Sequence, residues 1–151
     1  MLENLIYLRE TQGLKQKDMA KILGISQSTY AKWETKDIII PLKHLNSLAN
    51  YFQTSMDYIM GLSRVCNKTK EIKNLDLTVI ATRLKNLRKS YNLSIRELSK
   101  EINASFSAMA SYERCEHLII TSFLYNICLK YQVSLDYLCG RKEEKEILEK
   151  A

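Results

Sequence analysis

Proline occurs once and glycine four times in 151 residues, so the chain has few places where a helix must stop. The 3.6-residue apolar period dominates throughout, and it predicts an all-helical protein. Cysteine is sparse as well: Cys66, Cys115, Cys128 and Cys139 show no C-x-x-C spacing and no clustering with His44 or His117. That pattern argues against zinc sites and disulfide frameworks, and it predicts reduced thiols, with Cys128 and Cys139 in the core. A redox role for Cys66 or Cys115 is left open.

Long apolar runs are missing too. The longest, Ile38 to Leu42, has five residues, too short to span a bilayer, and no basic segment followed by an apolar one opens the chain. A cytoplasmic protein without a membrane partner is expected. Glycine-rich phosphate loops, a histidine beside paired carboxylates, metal-ligand spacing and nucleophile motifs are all lacking, which predicts a non-enzyme with no cofactor and no metal.

What is present is ordinary globular composition, 46% hydrophobic and 26% charged, with a net charge of +6 that favours a polyanionic partner. There is also a repeat. "GISQSTYAKWE" at 24–34 returns in fainter form as "NASFSAMASYE" at 103–113. An offset of 79 without gaps pairs Leu5 with Leu84, Leu8 with Leu87, Arg9 with Arg88, Ser26 with Ser105, Glu34 with Glu113, Ser55 with Ser134 and Gly61 with Gly140. Agreement over such a span predicts an internal duplication and two small domains. The expected division is 1–63, a linker at 64–77, a second and diverged copy at 78–142, and a tail at 143–151 that extends the last helix or frays.

In the first half the punctuation predicts helices at roughly 2–12, 15–23, 26–34, 41–52 and 55–61. Gly13, Gly24 and Gly61 mark junctions, and Pro41 suits a first helical position. Ser26, Ser105, Ser55 and Ser134 are placed as N-caps, and Ser94 with Glu97 forms a capping box. A short helix, a tight turn at Gly24, and a second helix whose first turn is polar make the layout of a helix-turn-helix. The major groove of DNA admits one such helix and presents base edges to its N-terminal residues.

On "KQKDMAKILGISQSTYAKWE", "IIPLKHLNSLANYF" and "SMDYIMG", residues 5–61 resemble the Xre/Cro-type helix-turn-helix family of phage and bacterial repressors. Residues 84–140 resemble it through "SIRELSKEINASFSAMASYE", "TSFLYNICLKYQ" and "SLDYLCG". The resemblance implies an all-α fold of two tandem five-helix, lambda repressor-like domains that bind double-stranded DNA. It implies a phosphate contact for Gln16, base or phosphate contacts for Gln27, Ser28, Thr29 and Lys32, and flanking DNA contacts for Lys17 and Lys36. It also implies that Arg9 with Glu34, and Arg88 with Glu113, bridge the first helix to the third. Met19, Leu23, Ile25, Tyr30 and Trp33 fall at core spacing and are core candidates, with a partly surface position left open for Tyr30.

The copies differ where bases would be read: Gln16 becomes Ile95, Gln27 becomes Phe106, Lys32 becomes Ser111, and Ser28 is kept as Ser107. Charge runs the other way, with 7 basic and 6 acidic groups in residues 1–63 against 10 and 5 in residues 80–142. Arg96, Ser107, Ser111 and Arg114 are therefore candidate DNA contacts in the second copy, with Arg83, Lys85, Lys89 and Lys100 as further phosphate cations. A linker of about fifteen residues reaches on the order of 50 Å, beyond the roughly 34 Å between successive major grooves.

Two uses of the second copy stay open: both copies on DNA, or the second turned to a protein partner or a homodimer through Phe106, Met109 and Ile95. The expectation for the whole is a sequence-specific regulator, a repressor of prophage or mobile-element type. The alternative is a helix-turn-helix scaffold for protein binding, as an inhibitor or anti-defence protein.

Overall fold

The computed structural model describes residues 1–151. Its regular structure is helical, and the one extended pairing is an isolated bridge between Ser63 and Lys150. The chain forms two compact units, one of Met1–Ile72 with Leu148–Ala151 and one of Lys73–Ile147.

The first unit holds α1 (Glu3–Thr11), α2 (Gln16–Leu23), α3 (Gln27–Glu34), α4 (Leu42–Tyr51) and α5 (Met56–Ile59). Each start has a local cause. Ser26 Oγ accepts the Thr29 amide at 3.1 Å and Ser55 Oγ accepts the Tyr58 amide at 3.0 Å, so each serine satisfies an amide that has no partner in its own helix. Pro41 sits one residue before α4, at its N-cap. Leu5, Met19, Tyr30, Trp33, Leu45, Leu48 and Phe52 are buried and form one core. Tyr30, a core candidate, is fully buried, its ring edge-on to Trp33 with centroids 5.9 Å apart. Leu23 and Ile25 are only half-buried, because they lie where α2 turns into α3.

The second unit holds α6 (Leu77–Ser90), α7 (Ile95–Glu101), α8 (Phe106–Glu113), α9 (Thr121–Tyr131) and α10 (Leu135–Leu138). Asp76 caps α6, Ser94 and Glu97 form the capping box of α7, and Ser105 and Ser134 cap α8 and α10. Its core includes Ile80, Leu84, Leu98, Met109, Leu124, Ile127 and Leu138, with Cys128 and Cys139 fully buried.

Backbone reversals fall at matched places in the two units. Positive φ occurs at Gly13 and Asn92, Gly24 and Asn103, Lys36 and Cys115, Gln53 and Gln132, and Gly61 and Gly140. Every pair is separated by 79 positions.

The expected linker, residues 64–77, is irregular up to Asp76, and its first part is held within the first unit: the Thr69 amide donates to Gln53 O at 2.8 Å and Lys68 Nζ to Phe52 O at 2.8 Å. The tail is neither helical nor frayed. Gly140, at φ +80, takes the backbone out of the right-handed helical range just after α10. The segment then lies in irregular form: the Ser134 amide takes Lys145 O at 2.8 Å, and Ile147 is buried. In the first unit Arg64 N donates to Glu149 O at 2.9 Å, Ala151 N donates to Leu62 O at 3.0 Å, and Ser63 Oγ donates to Leu148 O. Helical propensity in so short a segment is weak against such contacts.

Candidate nucleic-acid interface

The turn between α2 and α3 sets the geometry. Gly24 caps α2 with φ +69 and ψ +34, and the Ile25 amide reaches back to Ala20 O at 2.9 Å, so α3 leaves α2 through a tight reversal. At the far end of α2, Asp18 Oδ2 accepts the Lys15 amide at 2.8 Å, which places an acid in the first turn.

Around α3 the residues divide cleanly. Tyr30, Trp33 and Glu34 turn inward; Gln27, Ser28 and Lys32 are exposed, and Thr29 is half-buried. The Ser26 hydroxyl also donates to Thr29 Oγ1 at 2.8 Å, so the threonine hydroxyl is tied to the cap. Lys17 is exposed on the first turn of α2. Lys36 is exposed too, but it follows the opposite end of α3, roughly 12 Å of helical rise from its first turn. There it lines a cleft of about 550 Å³ with Asn4, Met60 and Arg64.

Glu34 organises this face from beneath. Arg9 reaches it from α1 through Nε at 2.7 Å and Nη2 at 3.1 Å, while Arg9 Nη1 donates to Leu14 O at 2.9 Å. Gln16 Nε2 donates to Glu34 Oε1 at 2.9 Å. Burial alone would raise the Glu34 carboxyl, but the hydrogen bonds from Arg9 and Gln16 outweigh it and hold it below the ordinary carboxylate range. Burial and the nearby carboxylate push the Tyr30 hydroxyl far above its ordinary value, so it stays neutral. An amide nitrogen carries two hydrogens. With one fixed on Glu34, the other is aimed by the same bond, so a carboxylate orients the residue expected to meet a phosphate. Sequence reading assigned Glu34 to Arg9 alone; nothing in the spacing singles out its bond to Gln16.

In the second unit the arginine lock is the same: Arg88 Nε to Glu113 Oε2 is 2.7 Å, Nη2 to Oε1 is 2.8 Å, and Nη1 to Leu93 O is 2.7 Å. Ile95 stands where Gln16 does, so the oriented amide has no counterpart. Phe106 and Ser107 are exposed at the start of α8, and the Arg96 guanidinium carbon lies 4.8 Å from the Phe106 ring centroid. Arg114 is exposed but held by Glu116, Nε to Oε1 at 2.7 Å.

Three expectations for this unit are corrected. Ser111 is buried, its hydroxyl donating back to Ala108 O at 2.7 Å; a side chain this short bonds its own helix, where the longer Lys32 reaches solvent. Met109, considered for an exposed contact, is fully buried in the core. Arg83 is taken by Tyr137 O, Lys142 O at 2.8 Å and Glu143 at 3.1 Å, and it covers the Tyr137 ring at 4.1 Å. Lys85, Lys89, Arg96 and Lys100 remain as exposed or half-exposed cations outside any ion pair.

Comparison with known proteins agrees with the first unit. The helix-turn-helix family model matches residues 5–59. Residues 5–59 are a helix-turn-helix domain. The chain is also similar to the uncharacterized HTH-type transcriptional regulator YobD of Bacillus subtilis (strain 168), with 34% identity over 73 residues, 48% of this chain. That stretch spans 65% of the relative's own length. No solved structure matches the chain. No helix is long and apolar enough to cross a membrane, and no cluster of His, Cys, Asp and Glu is grouped to hold a metal ion.

Proposed function

We propose that the chain is a sequence-specific double-stranded-DNA-binding transcription regulator of the repressor type, acting in the cytoplasm, with the character of prophage or mobile-element regulators. The observation that carries this reading is the outward polar edge of α3: Gln27, Ser28 and Lys32 lie exposed at the start of a helix presented by a tight turn, above a locked core. Gln matches the donor and acceptor edge of adenine, and Lys suits guanine or phosphate. Gln16, Lys17 and Thr29 are read as phosphate contacts that accompany it. Binding releases counterions from the phosphates, and occupancy of the site excludes polymerase.

The second unit is read as a diverged tandem copy of the same domain. Five positive-φ positions recurring at one offset, and an arginine lock repeated bond for bond, support that reading. With α8 poor in base-pairing groups, it would add phosphate affinity more than sequence discrimination. One small module seldom buries enough surface for tight specific binding, so the second unit or self-association makes up the difference. Exposed Leu118 and Ile120 in the second unit favour a competing use as a protein-binding or dimerisation surface.

Selection of bound duplexes from a random oligonucleotide pool with the full chain, followed by footprinting and a salt series, tests both. A recovered consensus, a footprint longer than one module covers, and affinity that falls steeply with salt are expected. Absence of any consensus would remove the proposal, and a footprint of single-module length would assign the second unit to the competing use.

A further inference from the structure

Phe106 is the first residue of α8 and is 45% exposed, an unusual place for a large apolar ring. It occupies the position that Gln27 has on α3. Its ring is not loose: the Arg96 guanidinium, from the first turn of α7, stacks over it with its carbon 4.8 Å from the centroid. Arg96 has no acidic partner, so stacking leaves its N–H edge free. Ser107 follows Phe106 on the exposed start of α8, and Lys100 stands one helical turn beyond Arg96 on α7. The patch therefore pairs one held aromatic ring with positive charge, and the neighbouring Glu97 carboxylate is engaged in the α7 capping box, where it accepts the Ser94 amide at 2.9 Å.

An apolar ring entering a major groove finds one apolar feature there, the C5-methyl of thymine. We propose that Phe106 is a specificity-determining residue that reads a thymine methyl group, with Arg96 as the positioning residue that holds the ring. The proposal rests on the reading of the second unit as a DNA-contacting domain. Charge complementarity selects DNA over an apolar protein surface, since Arg96 and Lys100 on the same face would be desolvated without compensation against an uncharged partner. On this account the second unit contributes sequence information through shape and methyl contact, while the first contributes it through hydrogen bonds.

Replacing thymine by deoxyuridine removes only the methyl group, so the test uses the full chain and the duplex recovered by selection, with thymines exchanged one at a time. At one thymine outside the part of the site read by α3, affinity should fall about fourfold, the equivalent of one buried methyl group. In Phe106→Ala that thymine-to-uracil ratio should drop to one; the exposed position keeps the fold intact, which circular dichroism checks. Arg96→Lys should keep the salt dependence of binding while bringing the ratio toward one, because ammonium preserves charge but not planar stacking. A footprint spanning both units in which no thymine outside the α3 part responds would overturn the methyl reading alone, as would a ratio that survives Phe106→Ala. A footprint confined to the α3 part would overturn the second unit's place on DNA and this inference with it, leaving an acidic protein surface as the use of the patch.

Discussion

Arg9 and Glu34 are joined by two hydrogen bonds across 25 positions of sequence, and the Glu34 side chain is only 2% exposed. Because the bonds from Arg9 and Gln16 hold the carboxyl below its ordinary range, its ionised form stabilises the fold above the unfolded value of about 4.3, and that contribution is lost as pH falls through the lower, folded value. Denaturant unfolding of Glu34→Gln should accordingly lose less stability than the parent between about pH 5 and pH 2. Parallel pH profiles for the two proteins would show that other carboxylates govern acid unfolding.

Removing one partner of that lock is a harsher change than neutralising it. Glu34→Ala strands the Arg9 guanidinium, which is 12% exposed, and should cost about 3 kcal/mol in unfolding free energy. The double replacement Arg9→Met with Glu34→Leu should recover a large part of the loss, because neither charge is then left buried and unpaired. A double variant no better than Glu34→Ala would mean that the two side chains contribute mainly by shape.

The bond from Gln16 to Glu34 separates positioning from reading. Gln16→Ala should weaken binding to every duplex alike, leaving the preferred sequence unchanged, since phosphate contacts fix register without carrying sequence. Gln27→Ala should instead cost about 1–3 kcal/mol at one base pair and relax preference there. Lys32→Ala should reduce the slope of log affinity against log salt by about 0.9 if it meets a phosphate. Ser111→Ala should change none of these, its hydroxyl being spent on Ala108 O. Binding measured on the selected duplex and on single-base variants of it distinguishes the four outcomes.

Much of this was legible in the sequence, for reasons that are local. Serines before apolar-periodic runs became N-caps at Ser26, Ser55, Ser94, Ser105 and Ser134, because capping depends on a few neighbouring atoms. The inward set Met19, Tyr30 and Trp33 followed from periodicity in the same way. What was not legible depends on competition between distant groups. The tail has good helix formers, yet backbone pairing with Leu62, Ser63 and Arg64 wins over propensity. Ser111 inherits the position of Lys32, but position does not carry reach; a side chain with one hydroxyl turns back on its helix. The Gln16 bond is set by tertiary placement across 18 positions, which no local spacing encodes, and Glu34 already has a charge partner in Arg9.

Gly24 and Asn103 perform the same reversal with different chemistry, at φ +69 and +60. A Cβ on Gly24 would touch nothing within 4 Å, so Gly24→Ala pays only the strain of a left-handed backbone, about 1 kcal/mol. Asn103→Ala should lose a similar amount, because asparagine tolerates that conformation better than alanine, whereas Asn103→Gly should stay within about 0.5 kcal/mol of the parent, relief of strain being offset by a more flexible unfolded chain. In thermal unfolding the two alanine variants should melt below the parent by comparable amounts. With the Cβ unopposed, α3 keeps its placement, and Gly24→Ala measured below its melting point should bind the selected duplex as the parent does. A large loss of affinity in a fully folded Gly24→Ala protein would mean that the turn itself approaches the DNA backbone.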